Sequence, residues 1–588
     1  MSKKKDSLKP WLSRPAINRS VTLPLTRPLT QRLSNLNEFH PNELDPYLLF
    51  DARDSMIGTL ENPTLDLDPS KPDTLNVITA TRAGTATFTD VNGLIASAPA
   101  NTVRVDHVDG VPMILVEPSA TNLLPYSEDF SNSAWSKSST TVTSNESTSP
   151  DGLNNASLVT VNSASISHLR DFFPISAAAH TFSIYAKAGT TTNIQLYVIE
   201  QGVGSGTADV DIQSGVVTNV SSEWNGGVTT ENIGNGWFRI RGTRTFTTSA
   251  SNHGIGVAAT GQNGLNFYIW GAQVETGSVA TSLIPTSGGN TAARTRAADD
   301  LQIERDSTNL LPYSEDFSQW STKSGATLTA NYGISPDGTQ NSTRLQFSGA
   351  SNQLADNITT SSSSTGSVWV KGTSGETIRF GVYASEANFT LNGSWQRIQK
   401  QGTATSNILT INTYGGATAR DLEIWGGQLE DGSEATSYIP TSGAAASRTT
   451  FSDFFSSSEG TFYAEYQFND ADGANSIIYG SADNQRFAYK NYGSTSPLLS
   501  YDGVNVLKYR RLDAGTLLRT ALSFDSNSIE GSQDGSAANM HGQTVPFPHN
   551  GNLLSATELN IGSNTTGAKH LNGHIKRLIY WPYHSDSL

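Results

Sequence analysis

Short runs of alternating apolar and polar residues follow one another along most of this chain. Trp237–Ile240, Gly460–Phe468 and Gly573–Trp581 keep a period of two. Thr85–Thr89, Met113–Glu117 and Leu517–Phe524 are further strand candidates, and no apolar period of 3.6 persists over several turns. The pattern predicts an all-β protein of short strands. In Trp237-Phe-Arg-Ile240 the alternation puts Trp237 and Arg239 on one face and Phe238 and Ile240 on the other. Asn235-Gly236 just before it supplies the positive φ of a hairpin turn, and Asn392-Gly393 precedes Trp395 in the same way. Asn572-Gly573 starts the last run, in which Ile575, Ile579 and Trp581 are expected to share a face.

These strands belong to a module written twice. Thr121-Asn-Leu-Leu-Pro-Tyr-Ser-Glu-Asp-Phe-Ser131 recurs unchanged at Thr308–Ser318, followed closely by Trp135 and Trp320. Ser149-Pro-Asp-Gly152 matches Ser335–Gly338, Trp237-Phe-Arg-Ile240 matches Trp395-Gln-Arg-Ile398, and Ile269–Gly288 matches Ile424–Gly443 at 15 of 20 positions. The spacing from Ser-Pro-Asp-Gly to Trp-x-Arg-Ile is 28 residues shorter in the second copy. The difference is assigned to an additional hairpin in copy 1, Ala208–Thr218, turning at Ser214-Gly215.

A chain of 588 residues exceeds one core of about 100–150 residues. The repeat divides it into an extended arm at 1–46, a small β connector domain at 47–120, copy 1 at 121–298, copy 2 at 299–447 and a different β-sandwich at 448–588. The fold expected is tandem jelly-roll or β-sandwich domains behind an extended N-terminal arm. With no cysteine, disulfides, thiolate metal sites and cysteine nucleophiles are excluded. The basic start is not followed by the apolar run of a signal peptide, and no stretch of about 18 apolar residues occurs. Synthesis in the cytoplasm without membrane insertion is expected.

Charge separates the arm from the body. Of the net −15, residues 1–37 hold eight Lys/Arg against one Asp, leaving 30 basic and 52 acidic residues in the remainder. An acidic body argues against nucleic acid as a partner, because phosphate contacts need clustered cations. The arm, with Pro15 and Pro28 blocking regular helix, reads as an anchor that orders on docking into a larger assembly. Its candidate contacts are Lys3, Lys4, Lys5, Trp11, Arg14, Arg19, Arg27 and Arg32.

The ordered blocks from Thr-Asn-Leu-Leu-Pro-Tyr-Ser-Glu-Asp-Phe-Ser to Ile-Pro-Thr-Ser-Gly resemble modules of tailed-phage fibre and virion proteins, similar to carbohydrate-binding jelly rolls. Residues 81–122 look like the segment that precedes the first such module. The ending Leu-Asn-Gly-His-Ile-Lys-Arg-Leu-Ile-Tyr-Trp resembles a concanavalin-like or laminin-G-like domain. The resemblance spans residues 80–588. It implies a virion component, a homotrimeric tail fibre or spike adhesin that binds host surface polysaccharide. In that reading the arm attaches to another virion protein such as portal, tail or capsid. A capsid-attached head fibre or decoration protein is the alternative, and a glycan depolymerase a third.

Catalytic chemistry finds little support. Concanavalin-like glucanases set carboxylates at alternate positions of one strand, whereas Glu465 and Asp470 are five apart. HExxH, GxSxG, GxxxxGK[ST] and a complete sialidase-type Ser-x-Asp-x-Gly-x-Thr-Trp box are absent. No enzymatic activity, cofactor or metal is expected. Ser127-Glu128-Asp129 and Ser314-Glu315-Asp316 offer calcium-type oxygens, but they read more simply as acidic turns capping local amides. The six repeated tryptophans, Trp135, Trp320, Trp237, Trp395, Trp270 and Trp425, read as shared core packing rather than a sugar platform. Tyr489, Tyr492 and Tyr501, outside the repeated blocks, are the candidate glycan-binding residues.

Overall fold

The outward and inward sets separate at once in the closing strand of copy 1. In Asn266–Thr276, Phe267 and Ile269 enter the core between two sheets while Tyr268 and Trp270 face away from it. Gly271 then takes φ 60°, and the pairing with Ala179–Ala188 shifts register between Ser183 and Tyr185, so that Ala272 and Val274 point inward again. A Cβ on Gly271 would lie 2.9 Å from the Tyr185 ring, so both φ and space require glycine. Gly426, at φ 64°, repeats the bulge in copy 2 beside Trp369.

A computed structural model describes residues 63–585 apart from 290–293, 359–362, 403–407, 415–417, 457, 470–475, 483–484, 491–496, 502–505, 512–515, 526–527, 534–535, 538, 541–542, 545–546, 549–557 and 564–569. The arm and its eight candidate anchor residues lie outside the described residues. Among the described residues the regular elements are β-strands and short 3₁₀ turns, and the protein is all-β. Among the described residues no helix is long and apolar enough to cross a membrane.

Copy 1 is a sandwich of two six-stranded antiparallel sheets and copy 2 a sandwich of two five-stranded ones. The repeated blocks are the parts that bracket each sandwich. Asn122 and Asn309, both fully buried, donate to two carbonyls and accept from two backbone N–H groups. Asn122 thereby ties Leu124 to Val274 and to Ile284, and Asn309 ties Leu311 to Leu429 and to Ile439. Trp135 and Trp320 fill the two cores, and their indole N–H groups reach the carbonyls of Tyr126 and Tyr313 at 2.9 and 3.0 Å. In the Gln-x-Glu…Ala-Thr-Ser block, Glu275 and Glu430 accept from Thr281 and Thr436 and from Gln273 and Gln428, strapping the exit segment onto its own strand.

The additional material of copy 1 is placed differently from the expectation. Gly204–Asp211 has a counterpart, Ala387–Thr390, at the same sheet position in copy 2. The two added strands are Val217–Thr218 and Val228–Gly234, one on the edge of each sheet, so the insertion follows the Gly215 turn rather than centring on it.

The third sandwich departs most from the linear partition. One of its sheets combines Leu65–Leu67, Arg104–Val108 and Val111–Val116 with Gly460–Phe468, Leu518–Phe524 and Gly573–Trp581. The other combines Thr79–Thr81 and Asp300–Ile303 with Leu559–Ile561, Ser476–Ala482 and the strands that follow it. Its core packs Leu65, Ile114, Leu301 and Ile303 with Phe462, Tyr466 and Tyr580. The residues expected to form a connector domain at 47–120 are thus, where described, largely strands of this sandwich. Both repeated modules are insertions into it. Each leaves and rejoins through a short antiparallel ribbon, Ala120–Thr121 with Thr295–Arg296 and Ser307–Asn309 with Ala446–Arg448. In the last strand a bulge at Lys576 breaks the period, so Ile575, Leu578 and Tyr580 enter the core while Ile579 and Trp581 do not, correcting the expected shared face.

A buried ionic cluster closes the first junction. Asp299 accepts from Arg82 at 2.8 Å, from Arg104 and from the backbone N–H of Glu117 at 2.9 Å. Glu117 is bonded by Arg104 at 2.8 Å and by Ser282, with Arg296 at 3.5 Å. Burial would raise the Glu117 carboxyl, but Arg296 and Arg104 hold it well below the usual carboxylate range. Glu304 makes the same bonds to Ser437 in copy 2, so the repeat begins four residues before the block visible in the sequence.

Candidate functional site

Each module turns one polar-aromatic sheet face away from its core. In copy 1 three adjacent strands align Arg239, Tyr185 and Trp270 in one row. The Tyr185 and Trp270 rings are 5.3 Å apart, and the Arg239 guanidinium carbon lies 5.4 Å from the Tyr185 centroid. Arg239 Nη2 donates to Ser183 Oγ at 3.1 Å and to the Thr281 carbonyl at 2.6 Å. Burial opposes its charge, but Tyr185, Glu231 and Glu275 raise its pKa, so it stays a cation. Two positions along the same face, Arg241 is paired with Glu231.

This face is roofed. The hairpin Ala86–Thr89/Ile95–Ala98 lies over it, with Thr87 Oγ1 bonded to the Leu283 carbonyl at 2.6 Å and Ile95 N to the Pro150 carbonyl at 2.9 Å. Ile95 and Leu283 pack onto Trp237 and Trp270, which are 2% and 1% exposed. What remains open is a cleft of about 470 Å³ between the face, the hairpin and the third sandwich, which contributes Gln467, Asn469 and His574. His574 Nε2 lies 2.8 Å from Asp106 Oδ2; burial raises the Asp106 carboxyl, but the bond to His574 brings it below its ordinary value.

In copy 2 the same row is Arg397, Trp369 and Trp425, with Tyr438 4.6 Å from Trp425. Arg397 donates to Ser367 Oγ at 2.9 Å. Only three residues separate Ile303 from Ser307, so no hairpin precedes this copy to cover the face. Trp369, Trp395 and Arg397 are half-buried instead of sealed. Around them Lys371 pairs with Glu423 at 2.9 Å and sits 5.8 Å over Trp395, while Arg344 pairs with Asp421 at 2.6 Å and covers Tyr332. Tyr332 and Ile334 are 47% and 57% exposed. Lys371–Glu423 and Arg344–Asp421 are thus held in pairs, leaving fixed donors and acceptors beside flat aromatic surfaces.

The repeated tryptophans therefore divide. Trp135 and Trp320 are core, as expected. Trp237, Trp270 and Trp425 are buried on the outer faces, outside the inter-sheet cores, and Trp395 is half-buried on an open face. Tyr489 and Tyr501 lie on the paired strands Gln485–Lys490 and Pro497–Tyr501 of the third sandwich, and Tyr492 lies outside the described residues. The Ser-Glu-Asp turns use Asp129 and Asp316 to accept from Ser131 and Ser318 amides at 3.1 Å, the capping role. Among the described residues no group of three or more His, Asp or Glu is placed to hold a metal. Glu465 is bonded to Lys576 and to the Tyr463 hydroxyl, while Asp470 lies outside the described residues. Trp369 and Tyr185 were not singled out from sequence. The doubled Trp-x-Arg-Ile strand marked the face, but only the pairing of neighbouring strands places Tyr185 and Trp369 on it.

No protein-family model matches this chain, and no curated protein matches it in sequence. Solved structures similar to it include the CBM22-1–CBM22-2 tandem of Paenibacillus barcinonensis Xyn10C, at 10% identity and TM-score 0.19, covering 54% of this chain and 99% of that one. Trypanosoma rangeli sialidase is matched at 9% identity and TM-score 0.20, covering 86% and 97% of the two chains. Mouse laminin α1 domains LG4–5 are matched at 9% identity and TM-score 0.14, covering 71% and 86%.

Proposed function

We propose that this chain is a non-enzymatic glycan-binding structural protein, a fibre or spike adhesin of a phage particle, and that sugar rings stack on the open face of copy 2. The observation that carries the glycan reading is the half-exposed pair Trp369 and Trp395 set among paired Arg, Lys, Asp and Glu side chains on a rigid sheet. Aromatic faces offer sugar C–H surfaces a large contact at low entropy cost, and neighbouring fixed polar groups select the hydroxyls. The phage reading rests on the resemblance of the repeated blocks. Homotrimerisation would multiply weak contacts so that a poor single site serves a well-bound particle.

The test is a glycan array and host-surface binding assay with the full chain and with Trp395→Ala and Trp369→Ala. Binding should fall at least tenfold in each variant while the chain stays folded by calorimetry; retained binding in both folded variants refutes the site. Imaging intact particles with the protein labelled separates a tail fibre from a capsid-attached one.

A further inference from the structure

We infer that the roofed cleft of copy 1 is a second, chemically different site, which takes a carboxylate-bearing sugar on Arg239. This deepens the glycan-binding reading and rests on it. Arg239 is 6% exposed, and no carboxylate among the described residues lies within ion-pairing distance of it. Its Nη2 is used twice, its Nε is buried without a partner, and Nη1 makes no bond to the protein. Nη1 is the nitrogen left to the cleft that Arg239 lines.

The carboxylates around the cleft are already engaged. Glu231 is paired with Arg241, Asp106 with His574, and Glu117 with Arg104 and Arg296. Glu275 is bonded by Thr281 and Gln273. A buried guanidinium whose only acceptors are a hydroxyl and a carbonyl keeps an uncompensated charge, a cost that an incoming anion offsets, and a charge-assisted bond in such a site is stronger than a neutral one. The volume of about 470 Å³ suits a small saccharide, since ligand clefts span roughly 300–1,000 Å³. Thr229, paired across from Arg241, lines the same cleft with a hydroxyl for the rest of the ring. Arg397 occupies the same place in copy 2, but no hairpin precedes that copy to roof its face, and Arg397 is half-buried where Arg239 is sealed.

The experiment is ligand-observed NMR of the full chain with glucuronate and, separately, glucose. Arg239→Lys, Arg239→Gln and Arg397→Lys are compared with wild type, and each is checked by its melting temperature. Wild type should bind glucuronate at least tenfold more tightly than glucose. Arg239→Gln, which removes the cation, should remove the difference; if that variant fails to fold, Arg239→Lys, which keeps the charge but loses the planar fork, should weaken glucuronate binding severalfold and leave glucose unchanged, while Arg397→Lys behaves as wild type. Equal binding of the two sugars by wild type, no binding of either, or an undiminished preference in a folded Arg239 variant overturns the assignment. A preference lost in Arg397→Lys and kept in full in Arg239→Gln also overturns it. None of these outcomes touches the loss expected from Trp395→Ala on the glycan array, so the two readings fail separately.

Discussion

Replacing Asp299 with alanine removes a carboxylate that joins three other positions of the chain where copy 1 is inserted. Asp299 is 2% exposed and accepts from Arg82, Arg104 and the Glu117 amide. After the change Arg82 keeps only carbonyl acceptors, at Thr102, Ala98 and Pro99, while Arg104 keeps Glu117. Removing one partner of a buried ion pair costs about 3–5 kcal/mol, chiefly because a buried charge is left uncompensated. A domain of 150–250 residues loses roughly 2–4 °C per kcal/mol, so the third sandwich should melt roughly 6–20 °C lower. Asp299 directly precedes the Asp300–Ile303 strand of that sandwich, whereas the cores of copies 1 and 2 are separate clusters. Differential scanning calorimetry of the full chain should therefore show one transition displaced and the module transitions in place. A shift under about 1 °C, or one confined to a module, would refute the assigned role of the cluster.

Three further outcomes follow from the same structure. Burial pushes the Asp171 carboxyl up to about 6, against the Phe172 amide and Arg294, which lower it. A folded pKa above the unfolded 3.8 means the native state binds the extra proton between these values, so this group's contribution to stability falls as pH rises from about 4 to about 6. Asp171→Asn should therefore raise the melting temperature of copy 1 at pH 7.5, by up to about 3 kcal/mol of stability, and the gain should vanish near pH 4; an equal gain at both pH values rules the desolvation account out. Residues 448–588 alone lack the strands Arg104–Val108, Val111–Val116 and Asp300–Ile303 and should give an undispersed amide spectrum. A chain that joins Asp306 to Thr449 should instead keep the third sandwich's melting temperature, because Ser307 and Arg448 are paired neighbours; the opposite pattern contradicts the insertion topology.

The period of two, the Asn-Gly turns and the absence of helical periodicity determined the all-β class, since each is a local property of the backbone. The doubled blocks likewise marked two copies of one module. Asn122, Trp135 and Glu275 recur as Asn309, Trp320 and Glu430 because each bonds or fills the same sandwich position. Alternation even placed Trp237 with Arg239 on one face. It did not say whether that face looked inward or outward: Trp237, Trp270 and Trp425 are buried, as core packing predicts, but on the outer faces and not between the two sheets. Which of two equivalent faces is roofed depends on a hairpin at 86–98 that contacts copy 1 and has no counterpart before copy 2. The bulge at Lys576, the joining of strands 65–116 to strand 573–581, and the insertion of both modules into one sandwich are likewise matters of pairing between residues hundreds of positions apart. Sequence alone set the strands and their repetition, because those are written in neighbouring residues. Tertiary structure decided which face stays open and which strands share a sheet, because hydrogen-bonded edges carry no local mark of their partners.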